Sequence, residues 1–353
     1  IESLDDHIAA GGMTGLAAAR SLTPDEIIDR IGRAGVRGRG GAGFPTAVKW
    51  RSLVSERTAA DLGAVVVNAA EGEPGTFKDR PILRANPYLV LEGALIAAHC
   101  LGAEWITVAT KARFDTELGR IRRAVAEIDA AGWSDDVGFT VVEGPDHYLF
   151  GEETALLEVI EGEDPLPRHL PPYQYGVFTT SPQLGWSAGF DASPGGPTEA
   201  SDNPTLVNNV ETYAHAALVL RHGPEWYRSM GTDESTGPTI VTVSGDVDQA
   251  VAAEIELGQS LRDVIVELAG GTVHPVKAVL SGVSNPVLTA DRLDTPIGYE
   301  TLGAAGSGLG SAGFMVFDDR RNMVDVAYQV SRFLHVESCG QCNSCKLGTH
   351  DIT

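Results

Sequence analysis

The order of apolar and polar positions predicts an α/β chain. The run that starts at Ala64 is almost uniformly apolar, as expected of a strand buried on both faces of a sheet. A helix is predicted from about Pro87 to Leu101. The segments EWITVATK, FDTELGRIRRAVAEIDAAG and VGFTVVEG then predict a strand, a helix and a strand. Strands that alternate with helices favour a parallel sheet with right-handed crossovers.

The flanking regions predict helices and a smaller second unit. TPDEIIDRIGRAG predicts a helix with Thr23 as N-cap, Glu26 as its capping-box partner and Gly35 as its stop. Further helices are predicted at 151–162 and roughly 208–222. TIVTVSGDV, AEIELG, SLRDVIVELAG and VKAVLSG then predict a hairpin, an amphipathic helix and a strand, which is typical of a β-grasp unit. SAGFMVFDD and MVDVAYQVSRFLHVES predict a last strand and a helix.

Length and charge restrict the class of protein. The 353 residues suit two or three domains, and the net charge of −22 argues against binding to nucleic-acid phosphates. The longest apolar stretch, residues 89–103, is interrupted by Glu92 and His99 and is too short to cross a bilayer. The start of the chain lacks the pattern of a signal peptide. We therefore predict a soluble, cytoplasmic protein.

A glycine-rich loop in GRGGAGFPTAVKW is the first candidate binding element. Gly38, Gly40 and Gly43 form a G-x-G-x-x-G pattern, but a predicted helix precedes it, whereas the dinucleotide fingerprint requires a strand. Four glycines in six positions, flanked by Arg39 and Lys49, indicate a backbone that approaches a flat anionic ligand. A plain turn is the alternative.

Two further segments carry polar side chains near predicted element ends. Asn68, Glu71 and Glu73 follow the first predicted strand, at the sheet edge where ligands bind in parallel sheets. A solvated loop is the alternative. Two pairs occur near helix starts. For Glu152 with Glu153 the alternative to ligand binding is favourable placement at the helix dipole, and for Asn208 with Asn209 it is N-capping.

Three of the four cysteines form a C-x-x-C-x-x-C run at Cys339, Cys342 and Cys345. That spacing favours a [4Fe–4S] cluster, because bacterial ferredoxins use the same first spacings. Zinc is the rival, with His350 as a fourth ligand. Cys100 lies in an apolar helix pattern and is predicted to be a buried structural thiol.

Five motifs in order, GRGGAGFPTAVKW, NAAEGEPGTFKDR, YLFGEETALLEVIEG, PTLVNNVET and ESCGQCNSCKLGT, resemble the family of NADH- and FMN-binding flavoprotein subunits of respiratory complex I. That family includes diaphorase subunits of NAD-linked formate dehydrogenases and hydrogenases. The resemblance implies an α/β fold with four segments. These are a helical segment with the glycine loop (1–60), a Rossmann-like FMN/NADH domain (61–236), a β-grasp domain (237–322) and the start of a helical iron–sulfur domain (323–353).

The resemblance also implies the site residues. The predicted FMN residues are Gly38, Arg39, Gly40, Gly41, Gly43, Lys49, Asn68, Glu71, Tyr148, Gly151, Glu152, Glu153, Val207, Asn208, Asn209 and Thr212. Those predicted to contact NADH are Phe44, Glu73, Glu153 and Tyr173, with Glu73 and Glu153 as the catalytic pair. The cysteines Cys339, Cys342 and Cys345 match cluster ligands, and the resemblance puts the fourth ligand outside this segment.

The implied function is transfer of electrons from NADH to FMN, and then singly to a [4Fe–4S] cluster and partner subunits. A thioredoxin-like [2Fe–2S] subunit is the expected partner. Alternatives are a diaphorase that reduces NAD⁺ and a zinc-stapled structural subunit without catalysis. This chain departs from the family at Ala70, Leu170 and Tyr173, and by an insertion at 176–203. These changes cluster near the nucleotide, so altered nucleotide preference is an open alternative.

Overall fold

The computed structural model describes residues 1–56, 63–179 and 202–353. Contacts divide the chain into two compact units. Unit 1 comprises residues 1–37, 44–71 and 82–224, and unit 2 comprises residues 38–43, 72–81 and 225–353. Most of the predicted insertion, residues 180–201, lies outside the described residues.

The described elements follow the predicted order. The strands are β1 (Ala64–Ala69), β2 (Trp105–Lys111), β3 (Gly138–Gly144), β4 (Thr205–Asn209), β5 (Pro238–Gly245), β6 (Val251–Glu256), β7 (Val276–Leu280), β8 (Leu288–Thr289) and β9 (Gly313–Asp318). The helices are α1 (Leu4–Ala9), α2 (Thr14–Ala19), α3 (Pro24–Ala34), α4 (Thr46–Glu56), α5 (Asp79–Ala85), α6 (Pro87–Leu101), α7 (Asp115–Ala130), α8 (Glu153–Glu161), α9 (Val210–His222), α10 (Pro224–Arg228), α11 (Leu261–Ala269), α12 (Tyr299–Ala304), α13 (Met323–Val336) and α14 (Asn343–Ile352). Across these ranges, no helix is both long enough and apolar enough to cross a membrane.

Unit 1 is built on a parallel sheet. Its described strands run in the order β3-β2-β1-β4, and every pairing is parallel. Val65, Val66 and Val67 of the central strand β1 are fully buried, which explains the uniformly apolar run in the sequence. Helix α6 is mostly apolar, as expected of a helix whose residues are nearly all buried. The predicted parallel α/β sheet is thus confirmed.

Several predicted helix boundaries are confirmed by their capping chemistry. Thr23 is the N-cap of α3 and forms the capping box with Glu26, while Gly35 ends the helix with φ of 73°. Helix α6 spans Pro87–Leu101, as predicted, and Asn86 caps it. The side-chain hydroxyl and amide groups at these ends accept from free backbone N–H groups, so the boundaries are fixed locally.

One boundary differs from the prediction. The helix predicted at roughly 208–222 is α9, which starts two residues later at Val210, because Asn208 and Asn209 belong to strand β4. Asn209 ends the strand, and its side chain accepts the N–H of Glu211 at 3.0 Å. The strand forms because it pairs with β1, about 140 residues earlier in the chain. The local sequence of five residues cannot predict such a distant pairing.

Unit 2 contains a mixed sheet with the order β6-β5-β9-β7-β8 among its described strands. The first and last long strands, β5 and β9, are parallel neighbours, and β6 and β7 flank them in antiparallel pairing. Leu261 and Ile265 of α11 pack in one buried cluster with Val243 and Phe314 of the sheet. This arrangement is the predicted β-grasp fold, and α13 and α14 follow it.

Candidate functional site

Polar groups of unit 1 converge where parallel strands β1 and β4 end. Asn68, near the end of β1, pairs with Asn209 of β4, and Val67 pairs with Asn208. The Asn68 amide Nδ2 donates to the Gly151 carbonyl at 2.8 Å. The connection from β1 runs to β2 on one side while β4 lies on the other, so this edge is a topological switch point where parallel sheets bind ligands.

A close approach of two backbone segments shapes this edge. The Asn68 Oδ1 accepts the N–H of Ala70 at 3.1 Å, which holds the loop after β1 in a turn. A Cβ added to Gly151 would lie 3.1 Å from the Ala70 carbonyl oxygen, so a side chain there would crowd the loop. Glycine therefore allows the segment before α8 to lie directly against the loop after β1.

Two of the predicted site residues act as helix caps. The Glu152 carboxylate accepts from the N–H groups of Thr154 at 3.0 Å and Ala155 at 2.8 Å, and so caps α8. Asn209 caps α9 in the same way. N-capping is therefore confirmed for Asn209, and the Glu152 carboxylate lies at a helix N-terminus, where the helix dipole favours it. Both side chains fix helix N-termini beside the sheet edge.

An ion pair joins two other predicted site residues. Lys49 Nζ of α4 lies 2.6 Å from Glu153 Oε2 at the start of α8. The Glu153 side chain is 40% exposed and that of Lys49 is 19% exposed. A partly exposed pair contributes little stability, so a charged ligand can separate these groups at low cost.

Thr46, the first residue of α4, is a further candidate that the sequence did not predict. Its side chain is buried, and in the described part of the chain its hydroxyl has no hydrogen-bond partner. The N–H groups at a helix N-terminus attract phosphate, and a buried hydroxyl there supplies one more polar group. This arrangement fits the phosphate of a bound nucleotide such as FMN.

Arg39 of the glycine loop lies in unit 2, and its guanidinium is committed to protein oxygens. The residue is only 3% exposed. It donates to the hydroxyls of Tyr299 at 2.8 Å and Tyr227 at 3.1 Å, and to the Pro238 carbonyl at 3.0 Å. Neither tyrosine could be predicted from the sequence, because both lie far along the chain from Arg39 and no spacing pattern links them to it.

Glu73, also in unit 2, orients part of the β-grasp fold. Its Oε1 accepts the N–H of Val283 at 2.8 Å, just after β7. Nearby, the Thr76 and Ser311 hydroxyls lie 2.7 Å apart. Glu73 thus has one carboxylate oxygen fixed by the backbone, which sets the direction of the side chain.

The remaining predicted residues occupy varied environments. Phe44 and Tyr173 are 52% and 38% exposed. Tyr148 precedes the short 3₁₀ turn Leu149–Gly151. Gly41 and Gly43 have φ of 132° and 63°. The residues Val207, Asn208 and Thr212 are buried, whereas Glu71 and Glu153 are partly exposed.

The three clustered cysteines surround the start of α14. Cys342 is its N-cap and Cys345 lies in its first turn, with Sγ 3.1 Å from the Ser338 hydroxyl. Among the described residues, no group of three or more His, Cys, Asp or Glu side chains is arranged to hold a metal ion. The donors themselves fit an iron–sulfur cluster, because thiolates are its usual ligands and a helix N-terminus stabilises their negative charge.

Cys100 is chemically distinct from those three. It is buried in α6, and burial raises the pKa of its thiol to about 12. Its Sγ lies 3.7 Å from the Pro24 carbonyl oxygen. The thiol therefore stays protonated and packs as a small apolar group, as predicted.

Comparison with known sequence families defines the class of protein. The family described as the Nuo51 FMN-binding domain matches residues 31–217. The NADH-ubiquinone oxidoreductase-F iron-sulfur binding region matches residues 325–353. The chain is therefore an FMN-binding flavoprotein subunit with an iron–sulfur region.

Relatives place it in a particular family. An NADH-quinone oxidoreductase F subunit of Rhizobium meliloti is 38% identical over 98% of this chain and 79% of that protein. The HndC subunit of the NADP-reducing hydrogenase of Solidesulfovibrio fructosivorans is 34% identical over 99% of this chain and 68% of that protein. The chain belongs to the family of NADH-quinone oxidoreductase F subunits, which confirms the resemblance inferred from the five motifs.

A solved structure shares the fold. The NAD⁺-reducing [NiFe]-hydrogenase in the H2-reduced state matches with a TM-score of 0.79 and 34% identity over 94% of this chain. This chain spans about half of the hydrogenase chain, 53%. The fold predicted from the sequence is thus confirmed by a structural relative.

Proposed function

We propose that this chain is the NADH-oxidising, FMN-containing subunit of a multisubunit electron-transfer complex. FMN, when bound, accepts a hydride from NADH and releases electrons singly, which suits a one-electron [4Fe–4S] acceptor. The observation that carries this proposal is the convergence of Asn68, Gly151, Asn208 and Asn209 at one edge of the unit 1 sheet, inside the FMN-binding family region. The residues' task is to bind and orient.

The proposed contacts with FMN and NADH are those that the family resemblance implies, together with Thr46. In unit 1, Asn68 and Asn208 would hydrogen-bond the cofactor, and Thr46 would bind its phosphate. Lys49 would leave Glu153 to offset the cofactor's negative charge, which frees the Glu153 carboxylate for the nicotinamide amide. The other predicted contacts in unit 1 are Phe44, Glu71, Tyr148, Gly151, Glu152, Tyr173, Val207, Asn209 and Thr212. Those proposed in unit 2 are the loop glycines Gly38, Gly40, Gly41 and Gly43, with Glu73. Arg39, whose guanidinium donates to protein oxygens, would support this loop.

Cys339, Cys342 and Cys345 are the proposed cluster ligands. The relatives are named as subunits of NADH-quinone oxidoreductases and of a hydrogenase. By analogy we expect this chain to work beside further iron–sulfur subunits, a thioredoxin-like [2Fe–2S] protein being the expected neighbour, on the cytoplasmic side. The kinship with a NADP-reducing hydrogenase and an NAD⁺-reducing hydrogenase favours the reverse reaction as a second candidate.

Anaerobic purification of the full protein containing this chain tests the proposal. We expect stoichiometric FMN, iron and sulfide, with bleaching of the flavin absorption band by NADH. A colourless protein that contains only zinc would favour a structural subunit instead. Titration with NADPH and NADH separates the two nucleotides. Reduction of NAD⁺ by a low-potential dye, compared with NADH oxidation by ferricyanide, reports the favoured direction.

A further inference from the structure

Tyr299, the first residue of α12, touches the glycine loop at three positions. Its hydroxyl lies 3.2 Å from the Gly38 carbonyl, to which it donates, and accepts from Arg39 Nη1 at 2.8 Å. Its ring lies beside Gly43, where an added Cβ would come within 2.4 Å of Cε1. One side chain therefore contacts the beginning, the second residue and the end of the loop 38–43.

The Arg39 guanidinium extends this support into the β-grasp fold. Its Nη2 donates to the Tyr227 hydroxyl at 3.1 Å and to the Pro238 carbonyl at 3.0 Å. Its Cζ also lies 5.8 Å from the centre of the Tyr299 ring, a cation–π contact. The loop is consequently anchored through a side chain as well as through its backbone.

A loop of this composition needs such an anchor. Gly41 and Gly43 have φ of 132° and 63°, which glycine adopts readily but at a high entropic cost, because a free glycine loop samples many other shapes. If the loop is ordered only when a ligand binds, this loss of entropy weakens binding; if the protein already orders the loop, it does not. Contacts that hold the loop in one shape therefore increase affinity without touching the ligand.

We propose that Tyr299 is a positioning residue that preorganises the glycine loop for FMN. Its hydroxyl fixes Gly38 and Arg39, and its ring forms the wall against which Gly43 lies. This inference rests on the proposed function, in which the loop binds FMN. Arg39 then has a supporting role, because the hydrogen bonds of its guanidinium hold the loop to Tyr227 and Tyr299.

The variant Tyr299→Phe tests this directly, because it keeps the ring and removes both hydroxyl contacts. FMN is added to FMN-free full-length protein, and its dissociation constant is measured by flavin fluorescence. We expect the dissociation constant to rise about tenfold, the effect of losing two ordinary hydrogen bonds. Trypsin cleavage after Arg39, followed by mass spectrometry, should accelerate, because fewer contacts then hold the side chain in its buried position.

Tyr88→Phe is the matched control. Tyr88 is a buried tyrosine of unit 1, and its hydroxyl donates to Glu127 at 2.7 Å, remote in sequence from the glycine loop. This variant also loses one tyrosine hydroxyl, and it should bind FMN as the wild type does. Equal dissociation constants for Tyr299→Phe and the wild type, or equal weakening in both tyrosine variants, would overturn the inference.

A second variant keeps the inference testable if Tyr299→Phe does not fold. Arg39→Lys retains the positive charge but cannot make the forked donations to both tyrosines, so we expect weaker FMN binding and faster cleavage after residue 39. Wild-type affinity in Arg39→Lys would contradict the positioning role. A wild type that binds no FMN at all would instead defeat the proposed function, which separates the two failures.

Discussion

Replacing Glu92 by glutamine should weaken the attachment of the N-terminal helices to the rest of unit 1. The Glu92 carboxylate is fully buried in α6. It accepts the N–H groups of Gly15 at 2.9 Å and Leu16 at 3.2 Å, and it lies 3.1 Å from His7 Nε2 and 3.0 Å from Arg221 Nη2. This single carboxylate therefore joins α1, α2 and α9 to α6.

The size of the effect follows from burial. Removing one partner of a buried ion pair costs about 3–5 kcal/mol, because the other charge loses its compensation. Glutamine keeps one acceptor oxygen but presents an NH₂ group to donors, so we expect a loss of about 3 kcal/mol in the free energy of unfolding. Urea denaturation of the full protein measures this value, and hydrogen exchange should show the largest gain in residues 4–19.

The effect should depend on pH in a defined direction. Burial alone would raise the pKa of Glu92, but the hydrogen bond from His7 and the charge of Arg221 outweigh burial and hold that pKa below its ordinary value. The folded state thus binds fewer protons than the unfolded chain, whose glutamates titrate near pH ~4.3. The stabilisation is present above that pH and is lost as pH falls through the lower folded-state pKa. The difference in the free energy of unfolding between wild type and Glu92→Gln should therefore become smaller over that acidic range.

A control separates this from a general loss of charge. Asp294→Asn removes the exposed partner of Arg262, and exposed pairs contribute little, so its unfolding curve should match the wild type. A change below about 1 kcal/mol in Glu92→Gln at neutral pH would refute the reasoning, because it would mean that the buried charges find other partners or water.

Three further outcomes follow from the structure. Gly93→Ala should destabilise the protein by more than about 2 kcal/mol, because its Cβ would lie 1.9 Å from the Tyr213 carbonyl oxygen. Gly119→Ala, whose Cβ would meet open space in a helix, should stabilise the protein by about 0.5–1 kcal/mol, and thermal unfolding compares the two variants. In metal-free protein near pH ~8, iodoacetamide should alkylate the exposed Cys342 but not the buried Cys100, and peptide mass mapping would show which thiol has reacted. The raised pKa of about 12 keeps the Cys100 thiol protonated and therefore unreactive. Cys342→Ser should lose iron and sulfide yet retain FMN; loss of both together would contradict separate sites for the two cofactors.

The sequence predicts those features that local chemistry determines. Thr23, Glu26 and Gly35 specify both ends of α3 within thirteen residues, so the helix could be placed in advance. The parallel sheet follows from alternating strands and helices, and the β-grasp order from the hairpin and helix that open it. Each of these inferences needs only neighbours along the chain.

Other features depend on contacts that sequence spacing does not encode. Strand β4 exists because it pairs with β1, and its last two residues were predicted as the start of the helix that follows. The buried hydroxyl of Thr46 could be suspected only from its position after the glycine loop, at the start of α4. The hydrogen bonds and ion pairs around Glu92 could not be predicted from the sequence either, because its partners come from three separate helices.

Arg39 and Lys49 show most clearly why candidate ligands cannot be ranked from the sequence. Both are cations beside the same glycines, and the sequence assigns them the same task. In the structure Arg39 is 3% exposed and bound to Tyr227 and Tyr299, which lie 188 and 260 residues away. Lys49 instead meets a partly exposed carboxylate, Glu153, which a ligand can displace. A charge already satisfied by buried neutral oxygens is costly to redirect, whereas a charge in a solvated pair is not, so Lys49 is the cation that can follow a bound anion.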